Sequence, residues 1–399
     1  MFSTVCFPLY LPLVTDLNFK IEMKNYFLIL FLIVLFGCEL IVDVDVPFDH
    51  PQLTLNSFFN PDSLWSANLS LNRHILNDSS FEKVENGLII ILSEGREIDT
   101  LIHQGDGLYS SDTGKPQVGS DYEIKAYAPN YEMVTGQSVI PAPAPIIRAE
   151  ISKADTDPEE GHNAKLKITF EDNGAEINYY QILIEGELEY YDLSTNKIYI
   201  SRHRVYLESE DPALQNEQFN WFDGVLLKDV LFNGKQIEFS FNTYLNNFSN
   251  VSILLRTVSE DYYDYKTTFQ LQDNTSGDPF AQPVNVHNNI ENGFGIFAGF
   301  SESRFVYRAT PRPIITGIIP EKGKPGDHLR IYGENFVESP DTFYSAQFSS
   351  GEYIRHANVV RISDSELDVI VPDQATTGKI VLYVGGRIAV SEMEFEVTQ

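Results

Sequence analysis

The chain has 399 residues, and 43% of them are hydrophobic, with 27 Phe and 21 Tyr, which excludes a disordered polymer and gives material for several cores. A formal charge of −29 excludes attachment to nucleic-acid phosphates or to anionic lipid, both of which need clustered Lys and Arg.

Two segments compete for the N-terminus. Residues 23–37 have the layout of a signal peptide: Lys24 near the start, an apolar run, and a small residue before a cut. The run ends Val34-Leu35-Phe36-Gly37-Cys38 and resembles the lipobox of bacterial lipoproteins, in which the cysteine carries lipid. At about a dozen residues the run is short of the roughly 18–20 needed to span a bilayer. Residues 1–22 contain Pro8 and Pro12 and have no basic start, so translation is expected to begin at Met23, with 1–22 a misassigned start. An N-terminal peptide from within 1–22 in the cellular proteome would overturn this. With Cys38 lipidated (palmitate among its chains) and Cys6 removed, the mature chain holds no disulfide and relies on packed cores. Two or three acyl chains make attachment practically permanent. The Asn-x-Ser sites at Asn68, Asn77, Asn247 and Asn250 are then uninformative.

After Cys38, residues 41–46 alternate apolar and acidic up to Pro47 and predict a short extended tether. Short strand signals follow at 53–55, 67–71, 87–92 and 122–127. They are separated by Asn60-Pro61-Asp62, Gln104-Gly105-Asp106-Gly107 and Thr113-Gly114-Lys115-Pro116, the spacing of a β-sandwich. Three prolines within 141–145 read as a stiff extended linker. Further strands are expected at 165–170, 179–183, 198–207 and 237–241. One helix is expected where Ser259 caps Glu260 and Asp261, with Tyr262, Tyr265 and Phe269 on one face. Pro311 and Pro313 mark the last boundary. The expected organisation is a signal peptide (23–37), a lipidated tether (38–50), an N-terminal β-sandwich (51–142), a second β-rich domain with one short helix (146–308) and an Ig-sized β domain (312–399). The fold class is all-β: serial, Ig-like β-sandwich domains with little helix.

No chemistry-bearing motif emerges. The eight histidines, at 50, 74, 103, 162, 203, 287, 328 and 356, lack metal-ligand spacing, and neither a nucleophile elbow nor a Walker loop occurs. The segment Gly293-Phe294-Gly295-Ile296-Phe297-Ala298-Gly299 fails the dinucleotide spacing, so its glycines are expected to allow close backbone approach within a sheet. A glycosidase pair among the many carboxylates depends on spatial separation that sequence does not give. Residues 155–160 (Asp-Thr-Asp-Pro-Glu-Glu) lack calcium-loop spacing and read as a solvated loop. Tyr190, Tyr191, Tyr262 and Tyr263 are expected to pack in cores or on sheet surfaces, with stacking on sugars the alternative. The expectation is a protein that is not an enzyme, with no metal and no cofactor.

Two resemblances add to this. Thr257-Val258-Ser259-Glu260-Asp261-Tyr262-Tyr263-Asp264-Tyr265, then Gly277-Asp278-Pro279-Phe280, then Asn289-Ile290-Glu291-Asn292-Gly293-Phe294-Gly295-Ile296-Phe297-Ala298-Gly299 resemble the C-terminal signature of a Bacteroidota lipoprotein family catalogued as a domain of unknown function. The resemblance extends over about residues 38–307, through Val44-Asp45-Val46-Pro47, Leu108-Tyr109-Ser110 and Asn178-Tyr179-Tyr180. Members are typically encoded beside TonB-dependent receptors, which implies an accessory role but no proven site residues. Pro313 to Pro320, Gly323, and Pro325-Gly326-Asp327-His328-Leu329-Arg330-Ile331-Tyr332-Gly333-Glu334-Asn335-Phe336 are similar to an IPT/TIG Ig-like domain. Val369-Ile370-Val371-Pro372 and Thr377-Gly378-Lys379-Ile380 fit its later strands. Gly326 and Gly333 are expected in tight turns, and Leu329 and Ile331 to point inward.

The expected function is a non-catalytic binding accessory to a TonB-dependent nutrient transporter. It would be held on the outer membrane through Cys38, at the cell surface rather than the periplasmic face, with a glycan or peptide ligand. The alternatives are a structural or adhesive surface lipoprotein and a hydrolase with an unrecognised carboxylate pair.

Overall fold

The computed structural model describes residues 50–73, 79–153, 164–192, 194–209, 214, 224–245, 248–275, 282, 284–309, 311–337, 344–350 and 353–398. The chain divides into two compact units, Met1–His50 and Pro51–Gln399, and all described residues but His50 fall in the second. The expected lipobox with Cys38, the signal peptide, the tether to residue 49 and the acidic segment 155–160 lie outside the described residues.

The protein is all-β, a series of packed sheets. Strands β1 (Leu53–Phe59), β2 (Ser66–Leu71), β3 (Leu88–Ser93), β4 (Arg96–Gly105), β5 (Leu108–Ser110), β6 (Asp121–Tyr127) and β7 (Val134–Val139) build the first region. In β1 burial alternates residue by residue, so Leu53, Leu55 and Phe59 face one core. Trp65, Phe59, Tyr122 and Phe297 meet there, with ring centroids 4.4–5.0 Å apart for Phe59–Phe297, Trp65–Tyr122 and Phe59–Trp65. Tyr109, fully buried, accepts a bond from the Gly87 amide and donates to the Val84 carbonyl, both at 2.8 Å. The β3–β4 link Glu94-Gly95 has both residues at positive φ, as two-residue hairpins require.

The second region contains β8 (Ile146–Lys153), β9 (Ala164–Glu171), β10 (Tyr179–Asp192), β11 (Lys197–Val205), β12 (Leu207–Ser209), β13 (Val225–Lys228), β14 (Gln236–Thr243) and β15 (Asn250–Val258). The sheet β12-β14-β9-β8 packs Leu166, Ile168, Phe170 and Phe241 against Tyr180, Ile182, Ile253 and Leu255 of the sheet containing β10 and β15. Between these regions the proline segment 141–145 joins no strand, and it is pinned. The Ala144 amide donates to Thr257 Oγ1 (3.0 Å), and Ser303 Oγ donates to the Ala144 carbonyl (2.7 Å).

After the short strand β16 (Ile290–Glu291), β17 (Phe294–Ala309) joins both regions. Its first part lies parallel to β1, Thr54 beside Phe294 through Phe59 beside Gly299. Its second part runs antiparallel to β15, Val258 beside Phe300. The glycines make this possible. A Cβ on Gly295, at φ +122°, would stand 2.0 Å from the Leu55 carbonyl oxygen, and one on Gly299 would stand 2.3 Å from that of Val139. Close backbone approach is therefore what the glycine-rich signature provides.

The helix α1 (Glu260–Thr275) starts as expected: the Tyr262 amide donates to Ser259 Oγ at 3.3 Å, and Glu260 and Asp261 occupy the first turn. Tyr262 is buried against Phe58 and Phe300, while Phe269 stacks on Tyr265 and stays 43% exposed, so the buried face of the helix is narrower than the sequence suggested.

The C-terminal region is a sandwich of two sheets. One holds β18 (Ile314–Ile319), β20 (His328–Glu334), β23 (Val359–Ser363) and β24 (Glu366–Ile370). The other holds β19 (Lys322–Gly323), β21 (Tyr344–Ser350), β22 (Tyr353–Ala357), β25 (Gly378–Val384) and β26 (Arg387–Val397). Leu329 and Ile331 point into its core with Phe336, Leu382 and Phe395. Gly326 turns at φ +89°, but Gly333 does not sit in a turn. It lies within β20, where a Cβ would stand 1.9 Å from the Ile314 carbonyl oxygen, so this glycine serves strand-to-strand contact.

Candidate functional site

A polar cleft of about 490 Å³ opens where β9 ends and the pinned segment 142–145 passes. Its lining includes Glu171, Asp172, Glu176, Asn178, Tyr180 and Thr257. The local sequence explains its shape. Asp172-Asn173-Gly174 is a turn signature that stops β9, and the Asn173 side chain accepts from the Ala175 amide at 3.3 Å. A Cβ on Gly174 would stand 2.7 Å from Gly234 Cα, so this turn packs directly on the turn before β14.

Asp172 ties the floor together. One carboxylate oxygen accepts the Tyr180 hydroxyl at 2.6 Å, and the other accepts the Gly234 amide at 2.7 Å. The Asn178 side-chain amide, oriented to satisfy both its ends, donates to the Asn173 carbonyl (2.8 Å) and to Asp172 (3.3 Å). The Asn178 backbone amide donates to Asp229 Oδ2 at 2.7 Å, and that carboxylate is wholly buried, with Oδ1 making no hydrogen bond. Burial first, and then the Asp172 charge, push the Asp229 carboxyl above its ordinary range. Burial and the bond to Asp172 push the Tyr180 hydroxyl upward, which keeps it a donor at any physiological pH.

The walls are rich in acceptors and poor in donors. Such a cleft suits a ligand that donates hydrogen bonds, through hydroxyls or an ammonium group. Its lining holds three carboxylates, Glu171, Asp172 and Glu176, and no His, Cys or Lys.

The residues weighed from sequence do not converge on one place. His287 Nε2 lies 2.8 Å from Asp261, and its backbone amide donates to Thr268 Oγ1, so it fastens α1 to the strand that follows. His328 lies 2.9 Å from Asp368 and His356 3.0 Å from Ser345, while the His103 ring packs at a tilt against Tyr109, centroids 5.0 Å apart. His74 and His162 are outside the described residues. Among the described residues no group of three or more His, Cys, Asp or Glu is placed to hold a metal. Tyr262 and Tyr263 pack beside the sheet, whereas Tyr190 and Tyr199 stack on each other at the surface, centroids 5.4 Å apart. Sequence reasoning passed over Asp172, Asp229 and Glu189. The Asp-Asn-Gly turn was the one available signal for the first, and nothing local marks the other two.

A family model described as a domain of unknown function, DUF4249, matches residues 40–305. The chain belongs to this family. Three of the segments within that range whose sequence resembles the family have structural roles: Asn178 and Tyr180 floor the cleft, residues 257–265 cap and dock α1, and residues 289–299 bring β17 against β1. No curated protein matches the sequence. Similar solved structures include an auxiliary nutrient binding protein from Bacteroides thetaiotaomicron, 21% identical, covering 22% of this chain and 21% of that one with a TM-score of 0.20. A second is SGBP-B from a complex xyloglucan utilization locus in Bacteroides uniformis, 16% identical, covering 64% of this chain and 50% of that one with a TM-score of 0.19. A third, a structural genomics protein of unknown function from Bacteroides thetaiotaomicron, is 19% identical over 23% of each chain with a TM-score of 0.21. The chain spans half or less of the length of these structures, and scores this low carry no likeness of fold or function.

Proposed function

We propose that this DUF4249 protein is an outer-membrane lipoprotein, anchored through Cys38, that binds a nutrient without transforming it and serves a TonB-dependent transporter. The observation that carries the reading is the start of the family match at residue 40, two residues past the cysteine of the lipobox-like Gly37-Cys38. A conserved unit that begins beside the anchoring residue is what a lipid-tethered ectodomain requires. The acceptor-lined cleft at Asp172 supports a ligand rich in hydroxyls, as a glycan is, or one that carries an amine, as a peptide does. The two-sheet sandwich after residue 312 supports an Ig-like domain of the IPT/TIG type following the region that carries the cleft. Acid-containing residues after Cys38, beginning with Glu39, favour the cell surface over the periplasmic face.

The test is affinity purification of the tagged protein from gently solubilised outer membranes, followed by mass spectrometry. A stoichiometric TonB-dependent barrel is the expected outcome. A lipoprotein recovered alone, or with envelope proteins and no transporter, overturns the accessory role and leaves the structural or adhesive reading. Protease shaving of intact cells that spares the protein would overturn the surface location. Turnover of a polysaccharide or peptide by the purified protein, lost on mutating a carboxylate pair, would overturn the non-catalytic reading.

A further inference from the structure

The lining of the Asp172 cleft is divided in character. Ala142, Pro143, Ala144 and Pro145 form an apolar stretch, while the turn from β9 to β10 forms a polar one that carries three carboxylates, Glu171, Asp172 and Glu176. Pro143 and Pro145 have no amide hydrogen, and the amide and carbonyl of Ala144 are taken up by Thr257 and Ser303. The apolar stretch therefore offers a ligand chiefly carbon surface.

No base balances the acids, for the lining holds no Lys, Arg or His. Asp172 is engaged on both oxygens, by the Tyr180 hydroxyl and the Gly234 amide. Glu171 and Glu176 are exposed, and among the described residues neither side chain has an ion-pair or hydrogen-bond partner. The bases on the adjoining strands are committed elsewhere, Lys167 to Glu238 and Arg148 to Glu150. Lys235, next in sequence to Gly234, is exposed and stands outside the lining. The floor registers the resulting field: after burial, it is the Asp172 charge that raises the Asp229 carboxyl, which accepts the Asn178 amide.

These features separate the two ligand chemistries that an acceptor-rich cleft admits. A neutral sugar finds no ring to stack on, because Tyr180, the one aromatic residue in the lining, is 1% exposed. It also leaves the charge of Glu171 and Glu176 unanswered. An alkylammonium group matches both stretches: its methylene stem lies on Ala and Pro, and its head donates to carboxylates, as a lysine side chain does on a mixed surface. A volume of about 490 Å³ admits such a group together with a small body attached to it. We infer that the cleft selects a ligand bearing a primary ammonium on an alkyl chain, with Glu171 and Glu176 meeting the charge and residues 142–145 covering the chain. The inference rests on the reading of this cleft as the ligand site and narrows its ligand from two classes to one.

The full chain in detergent micelles is titrated calorimetrically at pH 7 with four probes: spermidine, a Gly-Lys-Gly peptide blocked at both ends, the same peptide acetylated on Nζ, and cellobiose. Salt is held at about 0.15 M, where the screening length of about 8 Å mutes distant charges. Acetylation keeps the shape of the peptide nearly intact and removes its charge, so it should weaken binding about tenfold or more, and cellobiose should not bind. Glu171→Gln/Glu176→Gln should weaken the lysyl peptide and spermidine by about tenfold. The net charge of −29 attracts any cation, so Glu392→Gln/Glu394→Gln, which removes two exposed charges from the C-terminal sandwich, is the control and should leave both affinities unchanged. Tighter binding of the peptide than of spermidine assigns the ammonium to peptides, and the reverse assigns it to polyamines. Acetylated peptide or cellobiose bound as tightly as the lysyl peptide overturns the inference, as does equal weakening in both double variants or no binding of either ammonium probe. Each of these outcomes leaves the transporter reading standing, since that reading fails on a different observation, a lipoprotein purified without a barrel.

Discussion

Glu189 holds Arg387 at 2.6 Å, and through that pair the C-terminal sandwich is fastened to β10. The carboxylate has no solvent exposure. Its Oε1 also accepts from Arg312 at 2.6 Å, and its Oε2 accepts from the Ile388 amide at 2.9 Å. Arg387 continues to Asn250 at 3.0 Å.

Glu189→Ala leaves two guanidinium groups and an amide facing an empty site. Removing one partner of a buried ion pair costs about 3–5 kcal/mol. The cost is expected at this junction, so calorimetry should show one transition for the wild-type chain and, in the variant, unfolding of residues 312–399 separated from the rest. The Glu189→Met/Arg387→Met double variant should lose less than the sum of the single variants. A single unchanged transition in Glu189→Ala would refute the latch.

Gly295→Ala tests the approach of β17 to β1. The added Cβ meets the Leu55 carbonyl oxygen at 2.0 Å in a backbone region that L-residues avoid, so a loss of about 3 kcal/mol is expected in urea unfolding. Gly317→Ala, where a Cβ meets nothing within 4 Å, should stay within about 1 kcal/mol of the wild type.

Asp229 sets a pH dependence. An acid whose folded pKa lies above its ordinary 3.8 binds more protons folded than unfolded. Stability therefore falls as pH rises from about 4 to that raised value, and is level above it. Asp229→Asn keeps an oxygen for the Asn178 amide and removes the buried charge. The variant should be more stable than wild type at pH 7, and this advantage should vanish below about pH 4. An equal advantage at both ends of the range would assign the effect to something other than titration.

Cys38→Ser removes the lipid site predicted from the sequence. Metabolic labelling with palmitate should be lost, and the protein should move from the membrane fraction to the soluble fraction or accumulate uncleaved. Undiminished labelling would place the anchor elsewhere.

Several strands were legible because their signals are local, whereas those at 134–139, 146–153 and 250–258 were not read. The apolar pair at 53 and 55, the alternation of Leu329 with Ile331, and turn residues at 104–107 require no knowledge of the rest of the chain. The helix start at Ser259 was legible for the same reason. The cleft was not, because Asp172, Tyr180, Gly234 and Thr257 meet only through the packing of separate strands. Nor was the role of Glu189, which in sequence is one acid among 57 and whose partners lie at 312, 387 and 388. Gly333 shows the limit of reading a residue type by itself: a glycine fits a turn and a crowded strand equally, and only the neighbour at Ile314 decides.

The parallel seam of β1 and β17 has a consequence for how the chain acquires its structure. Leu53, Leu55 and Phe59 sit near the start of the described chain, yet the strand that completes their sheet begins at Phe294. A chain that emerges N-terminus first therefore carries an open, apolar sheet edge until almost all of the intervening residues have followed. Contacts so distant in sequence form slowly, and unpaired edges recruit other chains in the meantime. A chaperone that shields this edge during synthesis and transport should raise the yield of correctly assembled protein more than one that acts on the C-terminal sandwich, whose strands all pair within their own segment.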